Sequence, residues 1–183
     1  MNLLKLITLL IISPSVGWKD INKYTIPHNI LLAKLFYPSL ALLSISVFIP
    51  FVFGYISLNL QDVVISAMLN FIKYFISLFI VFYVISGIYY DKFKQKNEAN
   101  KLNNFIALIL TILVFFNILR NLMPGFPFFE IFPFYIVYVI YKGLFYLDIQ
   151  KQDEVKFVAI LSALVLLVPL GINFVLNLLI PNY

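Results

Sequence analysis

Downstream of residue 34 the chain passes through five apolar stretches with short polar breaks between them: Leu35–Ser57, Val63–Tyr90, Leu102–Leu119, Phe128–Leu147 and Phe157–Ile180. About 20 apolar residues in a helix, rising about 1.5 Å each, cross the roughly 30 Å hydrocarbon core of a bilayer. Lipid offers no hydrogen bonds, so each backbone group inside it must be satisfied within its own helix. The expected fold is therefore all-α: a polytopic transmembrane helix bundle of five spans over residues 35–183, preceded by a cytoplasmic or interfacial segment over residues 1–34. A water-soluble globule is excluded, because 63% of the residues are hydrophobic and only 11% charged. Soluble domains are about 45–50% apolar and about 25% charged. The second stretch is longer than a span needs, and tilt would absorb the excess. The third and fourth are close to minimal length.

The polar breaks set an orientation. Asp91–Lys101 and Asp148–Lys156 read as true loops, as does Gly17–His28 ahead of the first span, while Leu58–Asp62 and Arg120–Pro127 are short and nearly uncharged. With five spans and an interior N-terminus, 11 of the 13 basic residues fall on one side and only Lys73 and Arg120 toward the other. Basic residues collect on the cytoplasmic side of membrane proteins. The expected location is a bacterial inner membrane, N-terminus inside and C-terminus outside. The net charge of +5 thus reads as an orientation signal, with no nucleic-acid partner expected.

Met1–Ile12 carries Lys5 and an apolar run too short to span. A signal peptide cut near Ser15–Gly17 is one reading. An uncleaved amphipathic helix in the cytoplasmic interface, with Trp18 as an interfacial anchor, agrees better with the charge asymmetry.

Little in the chain can do chemistry. Cysteine is absent, which removes disulfides, thiol catalysis and thiolate metal sites. The single histidine, His28, cannot build a multi-histidine site and reads as a solvated or interfacial side chain. No phosphate loop, dinucleotide fingerprint or nucleophile elbow is present. No catalytic residue, cofactor or metal is expected.

Three charges stand out: Lys73 inside the second stretch, Arg120 closing the third and Glu130 opening the fourth. An intramembrane charge is costly and marks function by default. The bland alternative starts the second span near Asn70 and lets Lys73 snorkel to the outer headgroups. Glu130 is then expected to pair with Arg120 or Lys73. Lys142, six residues before Asp148, should snorkel at the inner face. Pro38, Pro50, Pro133 and Pro169 interrupt the spans, with Pro50 and Pro169 placed mid-span, where each should bend its helix. There is no GxxxG seam.

Ile12-Ser-Pro14, then Trp18-Lys-Asp-Ile21 ahead of the spans, and Leu-Val-Pro-Leu-Gly171 in the last one resemble the Yip family, the Ypt/Rab-interacting five-span membrane proteins, in its short prokaryotic form. The resemblance implies a five-span fold with an interior N-terminus and a scaffold-like or membrane-organising role. The Asp-Leu-Tyr-Gly-Pro motif of eukaryotic members is missing, so GTPase-linked trafficking is not implied.

Two functions follow. The first is a non-enzymatic scaffold or membrane-organising protein whose basic loops attract anionic lipid or a membrane protein partner. The second is a small transporter or channel built on kinked spans and Lys73. A dry bundle would favour the first, and a wet cavity reaching Lys73 the second.

Overall fold

A computed structural model describes residues 3–23, 26–55 and 59–179. The described residues form eight helices: α1 (Leu3–Ile12), α2 (Pro14–Lys23), α3 (His28–Val52), α4 (Leu60–Ile88), α5 (Tyr90–Phe93), α6 (Lys96–Leu122), α7 (Pro127–Leu147) and α8 (Glu154–Leu179). Helices α3, α4, α6, α7 and α8 are long and apolar enough to cross a bilayer, so the chain is a multi-span helical membrane protein. Short connections make consecutive spans antiparallel. One end of the bundle holds the start of α3, the α4–α6 and α7–α8 connections and most lysines; it is called the lysine-rich end here, and the opposite one the far end.

Helix α6 is the axis. Every residue from Phe105 to Val114 is buried, and α3, α4 and α7 all pack on it. A helix enclosed on all sides can be apolar all round, and this stretch is but for Thr111, whose hydroxyl donates to Ala107 O at 2.7 Å. Helix α8 is peripheral, resting on α4 and α7.

The span ends differ from those expected, for local reasons. Helix α3 starts seven residues earlier than Leu35, on Pro27, whose carbonyl accepts from the Ile30 and Leu31 amides at 3.1 Å each. It ends at Val52 because Gly54 adopts φ 71°. The Tyr55 amide then reaches Pro50 O at 2.8 Å and the Gly54 amide reaches Phe51 O at 3.1 Å, the paired bonds of a glycine-terminated Schellman stop. Pro50 thus lies in the last turn and not mid-span. Residues 56–58, where the first span was expected to finish, fall outside the described residues, as does residue 180 at the end of the fifth. Pro38 follows a π-helical turn over Leu32–Phe36, a widened turn that accommodates a residue without an N–H.

Helix α4 begins at Leu60 because the Asn59 side chain caps the Asp62 amide at 2.9 Å. Helix α6 extends back to Lys96 and on to Leu122, so the third span is longer than minimal and most of the expected Asp91–Lys101 loop is helical. Helix α7 is α-helical only over Tyr135–Gly143, with 3-10 turns before and after it; Pro127 and Pro133 each sit in the opening positions of such a turn, where no donor is needed. Pro169 lies inside α8, which stays α-helical through it.

An N-terminal helix forms where the sequence placed one, and its packing adds something the sequence did not announce. Leu6, Ile7 and Leu10 of α1 are buried, and α2 folds back on α1 through a turn at Ser13. Gly17 allows that return: a Cβ there would stand 2.9 Å from the Leu10 backbone nitrogen. Tyr135 Oη donates to Ile11 O at 2.9 Å. Tyr135 is 12 residues from Leu147, the lysine-rich end of α7, so the tip of the α1–α2 hairpin reaches about 18 Å into the bundle at about 1.5 Å per residue. The α1–α2 pair is a hairpin that shares one core cluster with the spans.

Candidate functional site

The two halves of the bundle are filled differently. In the lysine-rich half the indole of Trp18 is fully buried and stacks on Phe105 with centroids 4.3 Å apart. Its Nε1 donates to Val139 O at 2.9 Å. Gly143 on α7 makes room for both rings, since a Cβ there would lie 2.5 Å from Phe105 and 2.6 Å from Trp18. The structure therefore corrects the role expected of Trp18: it is a packing element between α6 and α7, shielded from any interface. His28, expected to be solvated or interfacial, is half-buried and held by two amides. Asn103 Nδ2 donates to its Nε2 at 2.7 Å, which leaves the ring proton on Nδ1 to be donated to Asn104 Oδ1, also at 2.7 Å. Asn104 Nδ2 continues to Ile26 O at 2.8 Å, so the start of α3 is fastened to α6. At the same end Asp148, in the left-handed region at φ 50°, offers its carbonyl to Lys92 at 2.6 Å and its carboxylate to Lys101 at 3.5 Å. Lys142 Nζ sits 5.4 Å from the ring centres of Tyr138 and of Tyr141.

The far half is hollow. A cavity of about 790 Å³ lies between α4, α6, α7 and α8. Helix α4 contributes Asn70, Lys73 and Tyr74, and α6 contributes Asn117, Arg120 and Asn121. Both sets follow the same spacing, i, i+3 and i+4, which puts three polar side chains on one helical face. Glu130 enters from the first turn of α7. Helix α8 supplies an almost wholly apolar wall, Ala163, Leu166, Leu167, Pro169 and Leu170, with Asn173 at its far end.

Lys73 is the fourteenth of the 29 residues of α4. The helix begins ten residues before Asn70, and Lys73 lies level with the last two turns of α6, where Asn117 Nδ2 meets Tyr74 Oη. Lys73 Nζ donates to Asn70 Oδ1 at 2.9 Å and lies 5.0 Å from the centre of the Tyr74 ring. Among the described residues no carboxylate comes within 4.0 Å of Lys73 or Arg120, and Glu130 takes part in no ion pair. The expected Glu130 pairing is corrected accordingly: the three charges share one cavity without meeting across it. Arg120 is near enough for its charge to act on Lys73.

The amides around the cavity are structural as well as polar. Asn117 Nδ2 donates to Tyr74 Oη at 2.7 Å, tying α6 to α4, and Asn121 Nδ2 donates to Ser46 Oγ at 2.9 Å, tying α6 to α3. These asparagines went unremarked in the sequence, although amides at i and i+4 beside Arg120 in an apolar helix are the signal that finds them. Among the described residues no group of three or more His, Asp or Glu side chains is placed to hold a metal ion.

No family model, no curated protein and no solved structure matches this chain.

Proposed function

We propose that this protein is a non-enzymatic solute-binding or transport protein of the bacterial inner membrane, with the far-half cavity as its site, the lysine-rich end and N-terminus in the cytoplasm, and the C-terminus outside. The observation that carries the reading is Lys73, inside a helix long enough to span, facing a cavity of about 790 Å³ with no carboxylate within 4.0 Å among the described residues. A cation within a spanning helix is expensive unless water, headgroups or a ligand reaches it. The volume falls within the roughly 300–1,000 Å³ of small-molecule sites. Trp18 and the hairpin fill the other half, so the cavity is confined to the far half in this conformation, as in one state of an alternating-access cycle. A membrane-organising scaffold of the Yip type is the second reading, and the observation favouring it is the concentration of lysines at one end, suited to anionic lipid or an acidic partner.

The chain has no cysteine, which gives a clean test. Asn70→Cys and Asn121→Cys, expressed in intact cells and treated from outside with a charged, membrane-impermeant thiol reagent, are expected to label. Thr111→Cys, buried in α6, is expected to stay unlabelled. Silence at both cavity positions in folded protein would overturn the reading.

A further inference from the structure

The cavity divides into a charged wall and an oily one. On the charged side Lys73 and Arg120 face it from adjacent spans, against a single anion, Glu130. The Arg120 guanidinium makes no hydrogen bond or ion pair with any described residue, and Lys73 reaches only a neutral amide. An arginine fork and a lysine point charge together suit a phosphate or carboxylate head. On the opposite side α8 presents leucines and one proline, with no charge.

The oily wall is also open sideways. Helix α8 packs on the Tyr135–Gly143 portion of α7 but makes little contact with the turns Pro127–Glu130 and Phe132–Phe134, so the two spans part beyond Tyr135. Phe134, Leu167 and Leu170 line the cavity and are at the same time 66%, 62% and 64% exposed on the outer surface of the bundle. Side chains that belong both to a cavity and to the lipid-facing surface frame a lateral opening. A water-soluble anion has no use for such an opening, whereas a molecule with a hydrocarbon chain can leave that chain in it.

Resting on the reading of the cavity as a binding site, we infer that its ligand is an anionic amphiphile taken laterally from the membrane, its phosphate or carboxylate held between Lys73 and Arg120 and its chain emerging between α7 and α8. The head chemistry is shared by a lipid and by a free anion; the apolar wall and the opening select the lipid.

The test titrates purified full-length protein in a neutral maltoside detergent with three probes: lysophosphatidic acid, monoacylglycerol and inorganic phosphate. The readouts are the unfolding temperature and the ligand retained in native mass spectrometry. Lysophosphatidic acid alone is expected to bind and, at about a hundredfold excess over its Kd, to raise the unfolding temperature by about 5–10 °C. Lys73→Met and Arg120→Gln are each expected to weaken that binding about tenfold or more, and Glu130→Gln, which removes the competing anion, to strengthen it. Arg120 is exposed, so its substitution keeps the test valid where Lys73→Met fails to fold. Equal stabilisation by inorganic phosphate would replace the amphiphile with a soluble anion and overturn the inference. Equal retention of monoacylglycerol would overturn the anionic head. Cavity cysteines that label while lysophosphatidic acid does not bind would overturn the ligand class and leave the site standing; unlabelled cysteines would remove the site itself.

Discussion

The lysine-rich half and the far half of this bundle are built from the same spans and reach opposite outcomes. In the first, a hairpin of two short helices is inserted, and Trp18, Phe105 and Gly143 interlock with no room for an added methyl. In the second nothing is inserted: α7 is loosened into 3-10 turns around Pro127 and Pro133, α8 carries Pro169 within it, and amides and charges face an open volume. Five spans around one central helix do not by themselves fill the bundle. What fills it is the hairpin, and where the hairpin stops the cavity begins. Stability should accordingly be concentrated in one half and ligand chemistry in the other.

That division can be broken by substitution. The largest effect is expected at Trp18. Trp18→Ala removes a fully buried indole and its bond to Val139, and should cost about 3–5 kcal/mol, read as a lowered unfolding midpoint in detergent. A smaller cost, about 1–3 kcal/mol, is expected of Gly143→Ala, whose Cβ would force both rings off their positions. If Gly143→Ala unfolds at the wild-type temperature, the packed half is looser than its geometry states. The smallest effect is expected in the far half. Glu130→Gln should change stability by no more than about 0.5 kcal/mol, because Glu130 is exposed and holds no ion pair among the described residues. A clear loss there would mean that Glu130 carries structural weight and that the two halves are not divided as described.

Much of this architecture was legible. Run length alone located five spans, because the hydrocarbon thickness fixes how many apolar residues a crossing takes. Span ends were less legible, since they depend on local caps: the Asn59 side chain, the Pro27 carbonyl and the positive φ of Gly54 moved boundaries by three to seven residues. The three charges of the cavity were visible as anomalies, but their mutual arrangement was not, and the expected ion pair is replaced by a shared, unbridged space. The hairpin was the least legible feature. A ten-residue apolar helix has the same composition whether it lies along a surface or dips between spans. The difference resides in Gly17 and Gly143, small residues far apart in sequence that admit Leu10 and Trp18. The engagement of His28 had a local sign in Asn103 and Asn104, two adjacent amides at the edge of an apolar stretch that needed partners.

Trp18 is the single tryptophan of the chain, and that gives the hairpin an optical signature of its own. An indole with no solvent exposure, stacked on a phenyl ring, emits at short wavelength and is sheltered from aqueous quenchers. All of the protein's indole fluorescence therefore comes from one place, the seam between α2, α6 and α7. A red shift of that emission reports hairpin release without any label, while the far half, where the ligand is proposed to bind, contributes no indole light.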